Sequence, residues 1–313
     1  MVVPGPSPVS HRRQPAGWLL GGTLVALLAA AVGQELARER WFPRDEVAEA
    51  VLYFPTGRAV QRVALSYDAL LADVYWIRAL QHFGSTRLKA QLGERKYELL
   101  EPLLTITTTL DPQFNIAYRF GAIFLAEAPP GGPGRPDQAI ALLRRGLEAR
   151  PGHWRYMQDI GFVYYWWLRD YAKAAEWFNR GADQPGAPWW MRSLAANTLA
   201  QGGDRRASRA LWQALAQTPD NEWLQRDARR RLQQLDALDQ LDLLRALAQR
   251  FVAAGARPPY TWEQMVRAGY LRGLPADPAG TPYDLGPYTA QVDLGDESPL
   301  RPLPAEPPAI GTR

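Results

Sequence analysis

The 313-residue chain has no cysteine, which excludes disulfides, thiolate metal ligands, a cysteine nucleophile and an acylated amino-terminal cysteine. Histidine is nearly as scarce. His11, His82 and His153 show no HxxxH or HExxH spacing, so no histidine metal site is expected. Lysine is confined to Lys89, Lys96 and Lys173, and arginine carries the rest of the positive charge. That bias reads first as coding bias and second as selection for guanidinium forks on phosphate or carboxylate. Net charge is only +4, from 36 basic and 32 acidic residues, so no nucleic-acid partner is expected. There is no G-x-S-x-G, no G-x-G-x-x-G and no P-loop. The loop Gly131-Gly132-Pro133-Gly134 carries proline where a phosphate cradle needs N–H donors. No acidic pair suited to glycoside hydrolysis stands out. The chain is therefore not read as an enzyme, and no catalytic residue, cofactor or metal is assigned to it.

What is present is apolar and aromatic. Hydrophobic residues make up 47% and charged residues 22%, an ordinary globular balance, but there are 12 Trp and 13 Tyr. Residues 1–16 form a proline-rich tail with His11, Arg12 and Arg13. Gly17–Gly33 then carries no charge in 17 residues, about 25 Å as a helix at roughly 1.5 Å per residue. Two readings stand. One is an uncleaved signal anchor that spans the membrane once and holds the body outside the cytoplasm, in a periplasm-type space. The other is a signal peptide cleaved near Ala29-Ala30-Ala31, which would release a secreted protein. A connector occupies 34–63.

From Ala64 to Gly84 the chain has helical periodicity. Steps of 100° put Ser66, Ala69, Leu70, Asp73, Trp76, Ile77 and Leu80 on one face, read as the buried one. Asp73 would then need a buried partner or a role in proton transfer. A second helix is expected over Gly93–Leu110. Helix pairs end at Asp111-Pro112, Arg150-Pro151, Gln184-Pro185 and Thr218-Pro219, with prolines 39, 34 and 34 residues apart. Such periods mark stacked helical repeats. Trp154–Pro185 shows the unit best: small residues at Gly161, Ala174 and Gly181, large ones at Tyr164, Tyr171, Trp177 and Phe178.

These residues resemble the tetratricopeptide repeat (TPR), whose 34-residue pattern sets W, L-G, Y, A, F, A and P at fixed offsets. Phe120-Gly121, Phe124, Ala139, Leu143, Gly146 and Pro151 follow it, with the unit lengthened by Pro129–Pro136. Ile160-Gly161, Tyr164, Ala174, Phe178, Gly181 and Pro185 follow it with a slip of one residue at the turn. Leu194-Ala195, Thr198, Ala207, Leu211, Ala214 and Pro219 follow it without a gap. The resemblance implies an all-α, TPR-like helical-hairpin solenoid over 64–220, in which each unit needs its neighbours. Residues 221–254 read as one capping helix. Its basic run, Arg226, Arg229, Arg230 and Arg231, is read as a solvated face paired with Asp227 and Asp236, with an anionic docking site as the alternative.

TPR arrays bind partners along their concave face. Carried over by position, that face holds Tyr118, Arg155, Gln158, Phe162, Tyr165, Trp166, Trp189 and Arg192, a mixture of aromatic and arginine typical of interface anchors. The expected function is a membrane-tethered scaffold that holds an extended segment of a partner protein, within a pilus, secretion or transport assembly. The alternative is a carbohydrate- or peptidoglycan-binding module stacking the same aromatics on sugars. After Thr261 and the short helix Trp262–Tyr270, Leu274–Tyr283 (LPADPAGTPY) resembles a segment near the end of type II secretion major pseudopilins. Residues 255–296 read as a Pro/Gly-turned lariat with Tyr283 and Tyr288 folded back on the array. Residues 297–313 read as a disordered tail.

Overall fold

The computed structural model describes residues 22–23, 25–34, 57–90, 97–219 and 221–306. The chain divides into two compact units, Met1–Pro55 and Thr56–Arg313. In the first, residues 25–34 are helical, with Val25, Leu27, Leu28 and Val32 exposed. Among the described residues no helix is long and apolar enough to cross a membrane. The expected anchor at 17–33 lies partly outside the described residues, as do the tail 1–16, most of the connector, residues 91–96 and the last residues, 307–313.

The second unit is mostly helical up to Arg267. Its helices are α1 (Gly57–Val63), α2 (Asp68–Ala90), α3 (Leu100–Leu110), α4 (Asn115–Ala126), α5 (Pro136–Ala149), α6 (Trp154–Val163), α7 (Tyr171–Ala182), α8 (Trp190–Gln201), α9 (Arg205–Ala216), α10 (Glu222–Ala253) and α11 (Trp262–Arg267). A two-residue antiparallel pair follows, β1 (Asp284–Leu285) with β2 (Val292–Asp293). From α2 to α10 each helix packs on the next, and α4 also touches α6. This is the packing of stacked helical hairpins: α2/α3, α4/α5, α6/α7 and α8/α9, closed by α10.

Local chemistry sets the boundaries. Pro136 starts α5, where its missing N–H costs nothing. Asp170, Asp204 and Asn221 cap α7, α9 and α10 by accepting from Lys173 N, Ala207 N and Leu224 N. Thr261 and Gln264 form a reciprocal capping box on α11. The small residues lie where helices meet. A methyl at Gly121 would come within 2.8 Å of Leu104, and one at Gly146 within 2.9 Å of the Tyr156 ring. A methyl at Gly161 would run into the Phe178 ring. The slip of one residue in the third unit is taken up by a π-helical turn, Tyr164–Leu168, that ends on Arg169 in the left-handed region at φ 54°.

Several expectations are corrected. The buried face of α2 is Ala72, Tyr75, Ala79 and Phe83, not the face through Leu70, Asp73 and Ile77. That buried line includes Tyr75 and Phe83, and Phe83 stacks on Phe124 at 4.3 Å. Asp73 is exposed and needs no buried partner. Helix α3 starts at Leu100 rather than Gly93. The short helix α11 stops at Arg267. Tyr283 is buried on α10, its hydroxyl donating to Gln240 Oε1 at 2.8 Å, but Tyr288 is 77% exposed. Residues 297–306 are not a loose tail: Ser298 and Leu300 are buried, and Leu303 packs on α10.

Candidate functional site

Helix α4 buries Ala117, Tyr118, Gly121, Ala122, Leu125 and Ala126 against its neighbours. Its remaining face is apolar as well. Ile116, Phe120 and Ile123 sit four and seven residues apart, one line along the helix, at 51%, 50% and 46% exposure. A solvent-facing helix surface is ordinarily polar. This one ends in a recess of about 250 Å³ between α4 and α6, lined by Arg119, Ala122, Ile123, Asp159, Phe162, Val163, Trp166 and Trp167.

The α6 side is built by the same helical spacing and extended by the π turn. Arg155, Phe162 and Trp166 fall within one narrow arc of the helix, with Gln158 and Tyr165 at its edge. Phe162 is half-buried, edge-on to Phe178 at 5.2 Å. Tyr165 donates to Gln201 Oε1 at 2.6 Å and packs edge-on against Trp166 at 4.9 Å. Trp166 is 55% exposed. A π turn inserts one residue, so side chains beyond it are re-aimed relative to a continuous α-helix. Trp166 and Trp167 both reach the recess from this turn.

Across the recess, Arg119 donates to Asp159 through Nε at 2.5 Å and Nη2 at 3.1 Å. Burial pushes the Asp159 carboxyl above its usual range, against the hydrogen bonds and charge of Arg119. The same hydrogen bond holds the Arg119 proton more firmly. Two-point pairing fixes both planes and fastens α4 to α6. At the head of α6, Arg155 lies over the Trp154 ring at 4.5 Å. His153 Nε2 is 3.3 Å from Asn115 Oδ1, and its pKa is lowered by burial and then by Arg150, Arg155 and Arg119.

Of the eight residues expected on the binding face, the structure brings Arg155, Gln158, Phe162, Tyr165 and Trp166 together on α6 and its π turn. Tyr118 is a correction. It is 1% exposed, donates to Thr108 O and packs on Tyr156, so it belongs to the core. Trp189 and Arg192 lie outside the recess. Trp189 meets Trp223 edge-on at 5.4 Å, and Arg192 pairs with Asp183 at 2.7 Å. Ile116, Arg119, Phe120, Ile123, Asp159 and Trp167 were not anticipated. Arg119 and Asp159 could have been found, because both stand one residue before the L-G step of their units, Phe120-Gly121 and Ile160-Gly161. No protein-family model, curated protein or solved structure matches this chain.

Proposed function

We propose that the chain is a non-enzymatic scaffold of TPR-like architecture that binds an extended segment of a partner protein across the open faces of α4 and α6. The observation that carries this is the line Ile116, Phe120 and Ile123 running into the recess floored by Phe162 and rimmed by Trp166. A contiguous exposed apolar surface beside a preformed cleft is a mark of an interaction site. The cleft takes one apolar side chain of the partner. The Arg119–Asp159 pair and Gln158 supply hydrogen-bonding edges for its backbone. Tethering through 17–33, with the helical body held outside the cytoplasm, is part of the same proposal. The uncovered Val25, Leu27, Leu28 and Val32 support it, being the side chains a lipid phase would take up.

The test is comparative affinity capture from membranes with the native chain, Ile123→Asp and Trp166→Ala. Both positions are exposed, so each variant is expected to keep its melting temperature while losing the partner at least tenfold. Undiminished recovery by both folded variants would remove the assignment. Retention on isolated peptidoglycan or glycans, lost with Trp166→Ala, would favour sugar binding instead.

A further inference from the structure

Residues 298–306 contain no helix or strand, yet they are held along α9 and α10 by side chains. Gln234, fully buried, donates to Leu300 O at 2.7 Å and Pro302 O at 2.9 Å. Arg230 donates to Pro299 O and Arg301 O, at 3.1 and 2.9 Å through Nη2. Leu300 is buried within one apolar cluster on α10, and Leu303 packs against that cluster and the next. Glu306 closes the run with a two-point pair to Arg205, at 2.6 Å through Nε and 2.5 Å through Nη2. The helices thus read this segment as a bound peptide is read: backbone carbonyls by side-chain donors, side chains at every third position by pockets and one cation.

The acidic end of the segment sits in a surplus of its own charge. Arg205 is also bound by Asp239 at 2.8 Å and Asp242 at 2.7 Å, and Arg209 by Asp236 and Asp239. Removing Glu306 therefore leaves Arg205 with two carboxylate partners, and relieves the repulsion of a third.

We propose that the α9–α10 face is a second docking track, occupied in this structure by the chain's own residues 298–306. It would accept an extended partner segment with leucine-sized side chains three residues apart and a carboxylate three residues further on. The track is distinct from the α4–α6 face and stands or falls without it. The tethered segment competes with it intramolecularly. A free peptide then gains access only when the tethered copy is weakened.

The test is fluorescence polarisation of a labelled peptide copying residues 296–306, titrated with the full chain. We expect at least tenfold tighter binding to the full chain carrying Leu303→Ala and Glu306→Gln than to the native chain. Adding Arg230→Gln should reverse that gain. Glu306→Gln alone removes no apolar contact and keeps the test open if the double variant fails to fold; it should bind about threefold tighter than native. No binding to a weakened chain that still melts cooperatively would overturn the proposal. Equal binding to native and weakened chains would also overturn it, by placing the peptide elsewhere.

Discussion

Gly161 lies where α6 meets α7, and an added methyl there would run into the Phe178 ring. Alanine is the better helix former by about 1 kcal/mol, but overpacking a filled contact costs about 1–3 kcal/mol. Gly161→Ala is therefore expected to destabilise, read as a lower urea midpoint at unchanged m-value. Tyr156 makes the opposite case. Its ring is fully buried, its hydroxyl has no hydrogen-bond partner among the described residues, and burial pushes its pKa up to about 12. Tyr156→Phe removes an unpaired polar group and is expected to stabilise by about 1 kcal/mol in the same measurement. Burial lowers the pKa of His82, and burial with three arginines lowers that of His153. Below the ordinary histidine value of 6.5 the unfolded chain then binds more protons than the folded one. Stability falls as pH drops through that value and levels off below the folded pKa values. The fall between pH 7 and pH 5 should flatten in a His82→Gln, His153→Gln double variant. An unchanged slope would assign the loss to other groups.

At the scale of elements, what was legible depended on whether one physical signal had one solution. Helix α10 runs Glu222–Ala253 behind an Asn221 cap, as its polar start and long apolar periodicity require. Asn221→Ala removes the acceptor for Leu224 N and is expected to cost about 1 kcal/mol of thermal stability. The repeat was legible because proline and small residues recur at fixed spacing, and the small residues do lie at helix contacts. Helix α2 shows the limit. It carries two apolar lines, Leu70-Ile77-Leu80 and Ala72-Tyr75-Ala79-Phe83, and periodicity cannot say which one meets α3. The order of the tail is hidden in the sequence for a related reason. Its prolines exclude regular structure, but the grip on 298–306 comes from Arg205, Arg230 and Gln234, 66 to 101 residues away in sequence. The π turn was visible only as an extra residue between Tyr164 and Ala174.

Across the array, the stacking of hairpins leaves one face of α4 and α6 without a neighbour among the described residues, and much of that face is apolar. The α6 half of it was legible from repeat position, because Arg155, Phe162 and Trp166 keep helical spacing. The α4 half was legible only in part: one of the same positions, Ala122, lines the recess, but Tyr118 points into the core, while Ile116, Phe120 and Ile123 take the open side. The central claim is that this open side is where a partner segment lies. A photocrosslinking residue placed at Trp166 is the most direct probe, with one at Lys173, on the neighbouring helix and outside the recess, as its control. In cells carrying the full chain, the account predicts a discrete crosslinked protein from position 166. It should be lost when Ile123→Asp is added, and absent from position 173. Equal products from both positions, or a position-166 product indifferent to Ile123→Asp, would contradict it.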